Sequence, residues 1–169
     1  RRTFHVNLIE KLRYGENPHQ KSAIYSKNFS LNLNQLHGKQ LSYNNFNDIY
    51  ASLMISKSLP NNNGVVIVKH ANPCGVSIIK DKLKCYKSAL SCDPVSAFGG
   101  IVSCNFKISS KLALELNKTF LEVIIANGFE SAALRILKKK KSVRLIDASL
   151  FSLNEDLKIN SINDVYLAQ

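Results

Sequence analysis

Short, unbroken apolar runs recur along this chain, each fenced by turn formers and separated from the next by a longer stretch of mixed character. VVIVK (65–69), GGIVSCN (99–105), LEVIIAN (121–127) and SVRLID (142–147) are such runs. They are short and rich in β-branched residues, which predicts strands, and the unbroken apolar character of 65–69 predicts burial on both faces. The stretches around them carry helical signals. Residues 47–59 read as a helix with Asn47 as cap, Asp48 in the first turn, and Ile49, Leu53 and Ser56 on one face. Residues 81–91 read as a second helix, capped by Asp81, with Leu83, Tyr86 and Leu90 on one side, ended by Asp93-Pro94. Ser109 or Ser110 caps a third that reaches about Lys118, and 130–140 form a fourth. This alternation predicts an α/β fold, a sheet layered with helices. ANPCG (71–75) reads as a tight loop, LRYGENPHQ (12–20) as a turn-rich segment, and residues 1–11 as a connecting arm.

The remaining bulk properties narrow the class without choosing a function. The 169 residues suit one compact domain, and 45% apolar residues allow a sizeable core. No apolar run is long enough to span a bilayer, and the N-terminal segment lacks a signal-peptide core, so a cytoplasmic location is expected. Cys74, Cys85, Cys92 and Cys104 contain no CxxC pair, which predicts reduced, mostly buried thiols. The net charge of +11 raises a nucleic-acid hypothesis. Its one run, 138–141, reads instead as a solvated helix end, and no nucleic-acid-binding signature accompanies it.

Ligands of open α/β sheets bind outside the carboxyl ends of the strands. That places three segments at a site: KHANPCG (69–75), the SAFGG loop (96–100), and Glu122 with 126–128. Lys69 beside His70 disfavours the imidazolium, so His70 can accept a proton while Lys69 stabilises an oxyanion. The plainer alternative is a surface lysine at a strand end and a hydrogen-bonded turn histidine. Arg13-Tyr14 offers an anion clamp beside an aromatic face, or an arginine paired with Glu16. Asn44-Asn45 can read a ligand's amide edge or cap a helix. Gly99-Gly100 marks close backbone approach rather than a dinucleotide loop. Pro73-Cys74 fits part of the zinc-deaminase pattern H-x-E…P-C-x-x-C, but H-A-N and Ser77 replace the other ligands, which predicts no zinc.

Taken in order, LRYGENPHQ, LHGKQLSYNNFND, VVIVKHANPCGV, CDPVSAFGGIV and LEVIIANGFESAAL resemble the transformylase domain of the AICAR transformylase/IMP cyclohydrolase family across nearly the whole chain. The resemblance implies a cytidine-deaminase-like α/β fold without the catalytic zinc. It implies formyl transfer from the co-substrate 10-formyltetrahydrofolate to the exocyclic amine of AICAR, giving FAICAR in purine synthesis. His70 matches the catalytic proton acceptor and Lys69 the transition-state stabiliser. Arg13, Tyr14, Asn45, Gly99 and Glu122 match contacts to the AICAR nucleotide. Residues 1–11 correspond to an interdomain connection and 12–169 to the first of two similar halves of the domain. The cyclohydrolase domain and the second half, with most folate contacts, have no counterpart here. A homodimer follows, with no nucleic-acid or membrane partner. The rival readings are a non-catalytic basic module that binds nucleotides or RNA, and a zinc-deaminase relative.

Overall fold

The computed structural model describes every residue except 1, 2, 4, 28, 29, 154–158, 163 and 169, and the side chain of residue 162. Its centre is a six-stranded mixed sheet in the order β3-β8-β7-β6-β4-β5. Three of these strands fall on the predicted runs: β4 (Gly64–Lys69), β6 (Ile101–Cys104) and β7 (Val123–Ala126), with β8 (Arg144–Asp147) on the fourth. Strands β6, β7 and β8 are mutually parallel, joined through α3 (Ser110–Leu116) and α4 (Ser131–Leu137). β4 runs antiparallel to β6. Every residue of β6 and β7 is buried, because both sheet faces are covered.

Side-chain alternation assigns the two faces. Ile101, Val123, Ile125 and Ile146 pack on Phe46, Ile49 and Leu53 of α1 (Tyr43–Ser58), together with Leu12 and Leu41. Val102, Cys104, Ile124 and Leu145 point the other way, into the core formed with α2 (Lys82–Cys92), α3 and α4. On the α1 side a buried hydroxyl pair, Ser56–Ser103 at 2.8 Å, ties helix to sheet. That pair explains the mixed character of the predicted helical face: Ile49, Leu53 and Ser56 are all buried.

Several boundaries differ from expectation. α1 begins four residues before Asn47. Its cap is Ser42, whose Oγ accepts from the Asn45 amide at 3.1 Å, while Asn45 Oδ1 accepts from the Ser42 amide at 3.2 Å. This reciprocal box satisfies two donors at once and outcompetes a lone asparagine further along. Asp81 and Ser109 cap α2 and α3 as expected. The segment expected to be a loop at 71–75 lies mostly in β5 (Asn72–Ile78), which pairs with β4 as a hairpin. The expected connecting arm contains most of β1 (Asn7–Leu12), paired with β2 (Ser22–Ser26) beside the main sheet. β3 (Asn34–His37) forms the edge next to β8, and β9 (Ile159–Ile162) and β10 (Val165–Ala168) form a separate hairpin. Among the described residues no helix is long and apolar enough to cross a membrane.

Candidate functional site

The direction of β4 decides where the candidate residues meet. Val68 is paired with Ile101, Ile101 with Val123, and Val123 with Arg144. The carboxyl end of β4 therefore adjoins the amino ends of β6, β7 and β8. Lys69, Gly99, Glu122 and Arg144 all fall at this one end of the sheet. Residues 126–128, expected with Glu122, end and follow β7 and lie at the opposite end. The candidate residues thus lie at the carboxyl ends of β3 and β4 and at the amino ends of β6, β7 and β8, since a mixed sheet presents both kinds of end together.

Lys69 is half-buried, and its ammonium donates to the Phe98 carbonyl at 2.7 Å. The next two residues turn the chain from β4 into β5, with Lys69 paired to Asn72. His70 has φ 52° and Ala71 φ 58°. Positive φ at both central residues belongs to the tight hairpin turns that match strand twist, and those turns normally carry Asn-Gly. A side chain with Cβ costs roughly 1–2 kcal/mol in this region. Asp48, on the second turn of α1, meets both amides: Oδ2 accepts from His70 N at 3.2 Å and Oδ1 from Ala71 N at 2.7 Å. The Asn72 side chain donates to the His70 carbonyl at 2.8 Å. The exposed imidazole borders a depression of about 420 Å³ lined by Lys69, Asn72, Pro73, Cys74, Asp93 and Ser96. Hydrogen bonds from the Ser96 side chain and backbone hold the Asp93 carboxyl below its ordinary range. Burial, then the Asp93 charge, push the Cys74 thiol up.

Arg13 and Tyr14 border a second depression, of about 180 Å³, with Lys39, Gln40, Leu41, Ser42 and Arg144. Three cations and a half-buried tyrosine are thus among its lining residues. The Arg13 guanidinium lies 5.8 Å from the centre of the Tyr14 ring. The two depressions share no lining residue. Between them stands the start of α1. Asn45 is buried, and its Nδ2 donates to Glu122 Oε2 at 2.9 Å. Glu122 Oε2 lies 3.9 Å from Arg144 Nη1. With its oxygen in the capping box and its nitrogen on Glu122, Asn45 orients a neighbouring carboxylate rather than presenting a free amide. Asn44, one residue earlier, is exposed and donates to the Glu16 carbonyl at 3.4 Å. Gly99 has φ 73°, and its amide donates to the Phe120 carbonyl at 2.8 Å.

Sequence reasoning missed Asp48, Lys39 and Arg144. Asp48 was legible only as a first-turn helix residue, because nothing local links it to a hairpin 22 positions away. Lys39 and Arg144 carry no motif of their own. Among the described residues no group of three or more His, Cys, Asp and Glu is placed to hold a metal.

The model of the AICARFT/IMPCHase bienzyme family matches residues 1–169. The chain is similar to the bifunctional purine biosynthesis protein PurH of Bacillus cereus, with 43% identity over 166 residues, 95% of this chain and 32% of that protein. The PurH of Bacillus cytotoxicus is 46% identical over 146 residues, 83% of this chain and 28% of its own. The PurH of Acetivibrio thermocellus is 46% identical over 144 residues, with coverages of 82% and 28%. The chain thus spans about a third of the length of the curated relatives it matches.

Proposed function

We propose, from the premise that this chain belongs to the AICARFT/IMPCHase bienzyme family, that its site serves purine biosynthesis by formyl transfer from 10-formyltetrahydrofolate to the amine of AICAR. The observation that carries the proposal is the meeting of Lys69 and His70 with Gly99, Glu122 and Arg144 at one end of the sheet, next to a pocket of three cations around Tyr14. A nucleotide needs both parts: a cationic pocket for its phosphate, and an acid–base pair at its reacting amine.

The chemistry follows from these groups. The amine of AICAR is conjugated to a carboxamide, so its lone pair is a poor nucleophile. It attacks the formyl carbon as His70 takes its proton. The formyl oxygen becomes an oxyanion opposite the Lys69 ammonium, which the Phe98 carbonyl holds in place. The bond from the formyl carbon to the folate nitrogen then breaks, the carbonyl re-forms, and that nitrogen is protonated. Arg13 and Tyr14 hold the nucleotide, Gly99 lets the backbone approach it, and Glu122, oriented by Asn45, contacts it. The fold we propose is cytidine-deaminase-like, supported by the mixed sheet with helices on both faces. We assign residues 1–11 to an interdomain connection and 12–169 to the first of two similar halves. A second half and a second copy of the chain are the proposed partners, and the cytoplasm the proposed location. The exposed Val95, Phe98 and Phe120 support a covering partner, with the two rings 5.2 Å apart beside the site.

The test contrasts two substitutions in the native protein. His70→Ala lowers turnover by about 10²-fold or more and leaves the AICAR dissociation constant within a few-fold, since a base acts in the transition state. Arg13→Ala weakens nucleotide affinity and changes turnover at saturation little, because a phosphate contact is equal in ground and transition states. Turnover and calorimetric binding measure both. Near-normal turnover of His70→Ala refutes the assignment.

A further inference from the structure

The turn that carries His70 has the wrong residues for its backbone. Positive φ at two successive positions is the province of glycine and asparagine. Here histidine and alanine occupy them, at 52° and 58°. A conformation this unfavourable persists only where the surroundings impose it. One group meets both strained amides: the Asp48 carboxylate, through one oxygen each, at 3.2 and 2.7 Å. It reaches them from α1, a helix packed across the sheet and fixed there by Phe46, Ile49 and Leu53. The same helix, one turn earlier, orients Glu122 through Asn45. The strand side is equally fixed, since 65–68 are wholly buried in β4. Only the turn needs an outside hold, and Asp48 supplies it.

We propose that Asp48 is a positioning residue for the formyl-transfer reaction: its carboxylate, by accepting both amides of the turn, holds the His70 imidazole at the reacting amine. The assignment rests on the reading of His70 as proton acceptor. Asp48 touches no substrate and moves no proton. It acts by keeping the base where the proton leaves, a contribution that misplacement of about 1 Å can reduce by about 10²-fold.

The experiment uses the native protein and three variants. Asp48→Ala removes both acceptors. Asp48→Asn keeps one oxygen for an amide and turns an NH2 group toward the other. Asp48→Ala combined with Ala71→Gly removes the hold but lets position 71 take its φ without strain. Turnover falls by about 10²-fold in Asp48→Ala, less in Asp48→Asn, and returns in part in the double variant, while KM for the nucleotide moves less than about threefold. The backbone is followed independently by strong intraresidue amide-to-Hα cross-peaks at 70 and 71, the NMR mark of positive φ. These weaken in Asp48→Ala and recover at position 71 in the double variant. A carboxylate that only stabilised the fold would lower the melting temperature without a kcat that follows Ala71→Gly. Turnover within twofold of the native value in Asp48→Ala overturns the proposal, and so does lost turnover with the cross-peaks intact. Absence of formyl transfer in the unaltered protein overturns the reading beneath it, and the cross-peaks then still decide whether Asp48 holds the turn.

Discussion

Cys92 is exposed at the last position of α2, whereas Cys104 ends β6 with 1% of its surface accessible. Thiol reactivity follows the thiolate, and burial pushes the Cys104 thiol far above its ordinary value, with a smaller push from Cys85. An alkylating reagent near pH 8 therefore modifies Cys92 quickly and Cys104 only after denaturant is added, as mass spectrometry of the peptides will show. The same shift has a pH consequence. Above the ordinary thiol range, near 8.5, the unfolded chain gives up a proton that folded Cys104 keeps, so the native state binds more protons and loses stability as pH rises. A urea midpoint constant from pH 7.5 to 10 would contradict this. At this scale the sequence was legible where chemistry is local. Lys69 and His70 had to adjoin because they are neighbours in the chain. Asn45 was half-legible: its residue type suited both a ligand contact and a cap, and only the geometry shows its amide divided between the capping box and Glu122.

Gly75 shows what a strand can require of its neighbour. It lies in β5, where an added Cβ would sit 1.9 Å from the Ala89 carbonyl oxygen of α2. That contact is to backbone on a helix packed by buried Cys85, Tyr86 and Ala89, so no side chain can swing aside. Gly75→Ala must displace α2 from the sheet, at a cost of about 1–3 kcal/mol, read as a drop in the urea midpoint. A variant as stable as the native chain would mean that α2 shifts freely. Elements whose signal is a buried apolar run were found: β4, β6, β7 and β8. β5 was not, because its turn is His-Ala where the hairpin signal is Asn-Gly, and Pro73 and Gly75 make the strand read as a loop. β1 and β2 were missed because a two-stranded ribbon at the edge of the molecule carries mixed polarity rather than a core pattern.

At the scale of the whole molecule, strand direction decides which candidate residues share an end of the sheet. The positions of β4, β6, β7, β8 and the four helices could be read from the pattern, but the direction of β4, antiparallel to both β5 and β6, could not. That reversal brings Lys69 to the ends that bear Gly99, Glu122 and Arg144, with cations of the Arg13 pocket alongside. Charge can be weighed in the same frame. The excess of 23 basic over 12 acidic residues gives +11, enough to bind any polyanion loosely. Its densest run, Lys138–Lys141, follows α4, where cations complement the helix dipole. Lys140 is not free to contact a phosphate backbone: its ammonium donates to the carbonyls of Asn117 and Thr119, and its own carbonyl faces His37. The run is thus partly spent on closing the loop after α3. Replacing Lys138, Lys139 and Lys141 together by glutamine should leave the AICAR dissociation constant within about twofold, because these residues do not line the Arg13 depression. Retention on RNA should weaken with the lost charge and vanish near physiological salt in both forms, as a purely counterion-driven contact does. The rival reading, a basic RNA-binding module, requires the opposite pair of results: RNA affinity that survives at physiological salt and collapses in the triple variant, with no measurable affinity for AICAR. Fluorescence anisotropy with an RNA oligonucleotide across a salt series, beside calorimetry with AICAR, separates the two in one set of samples.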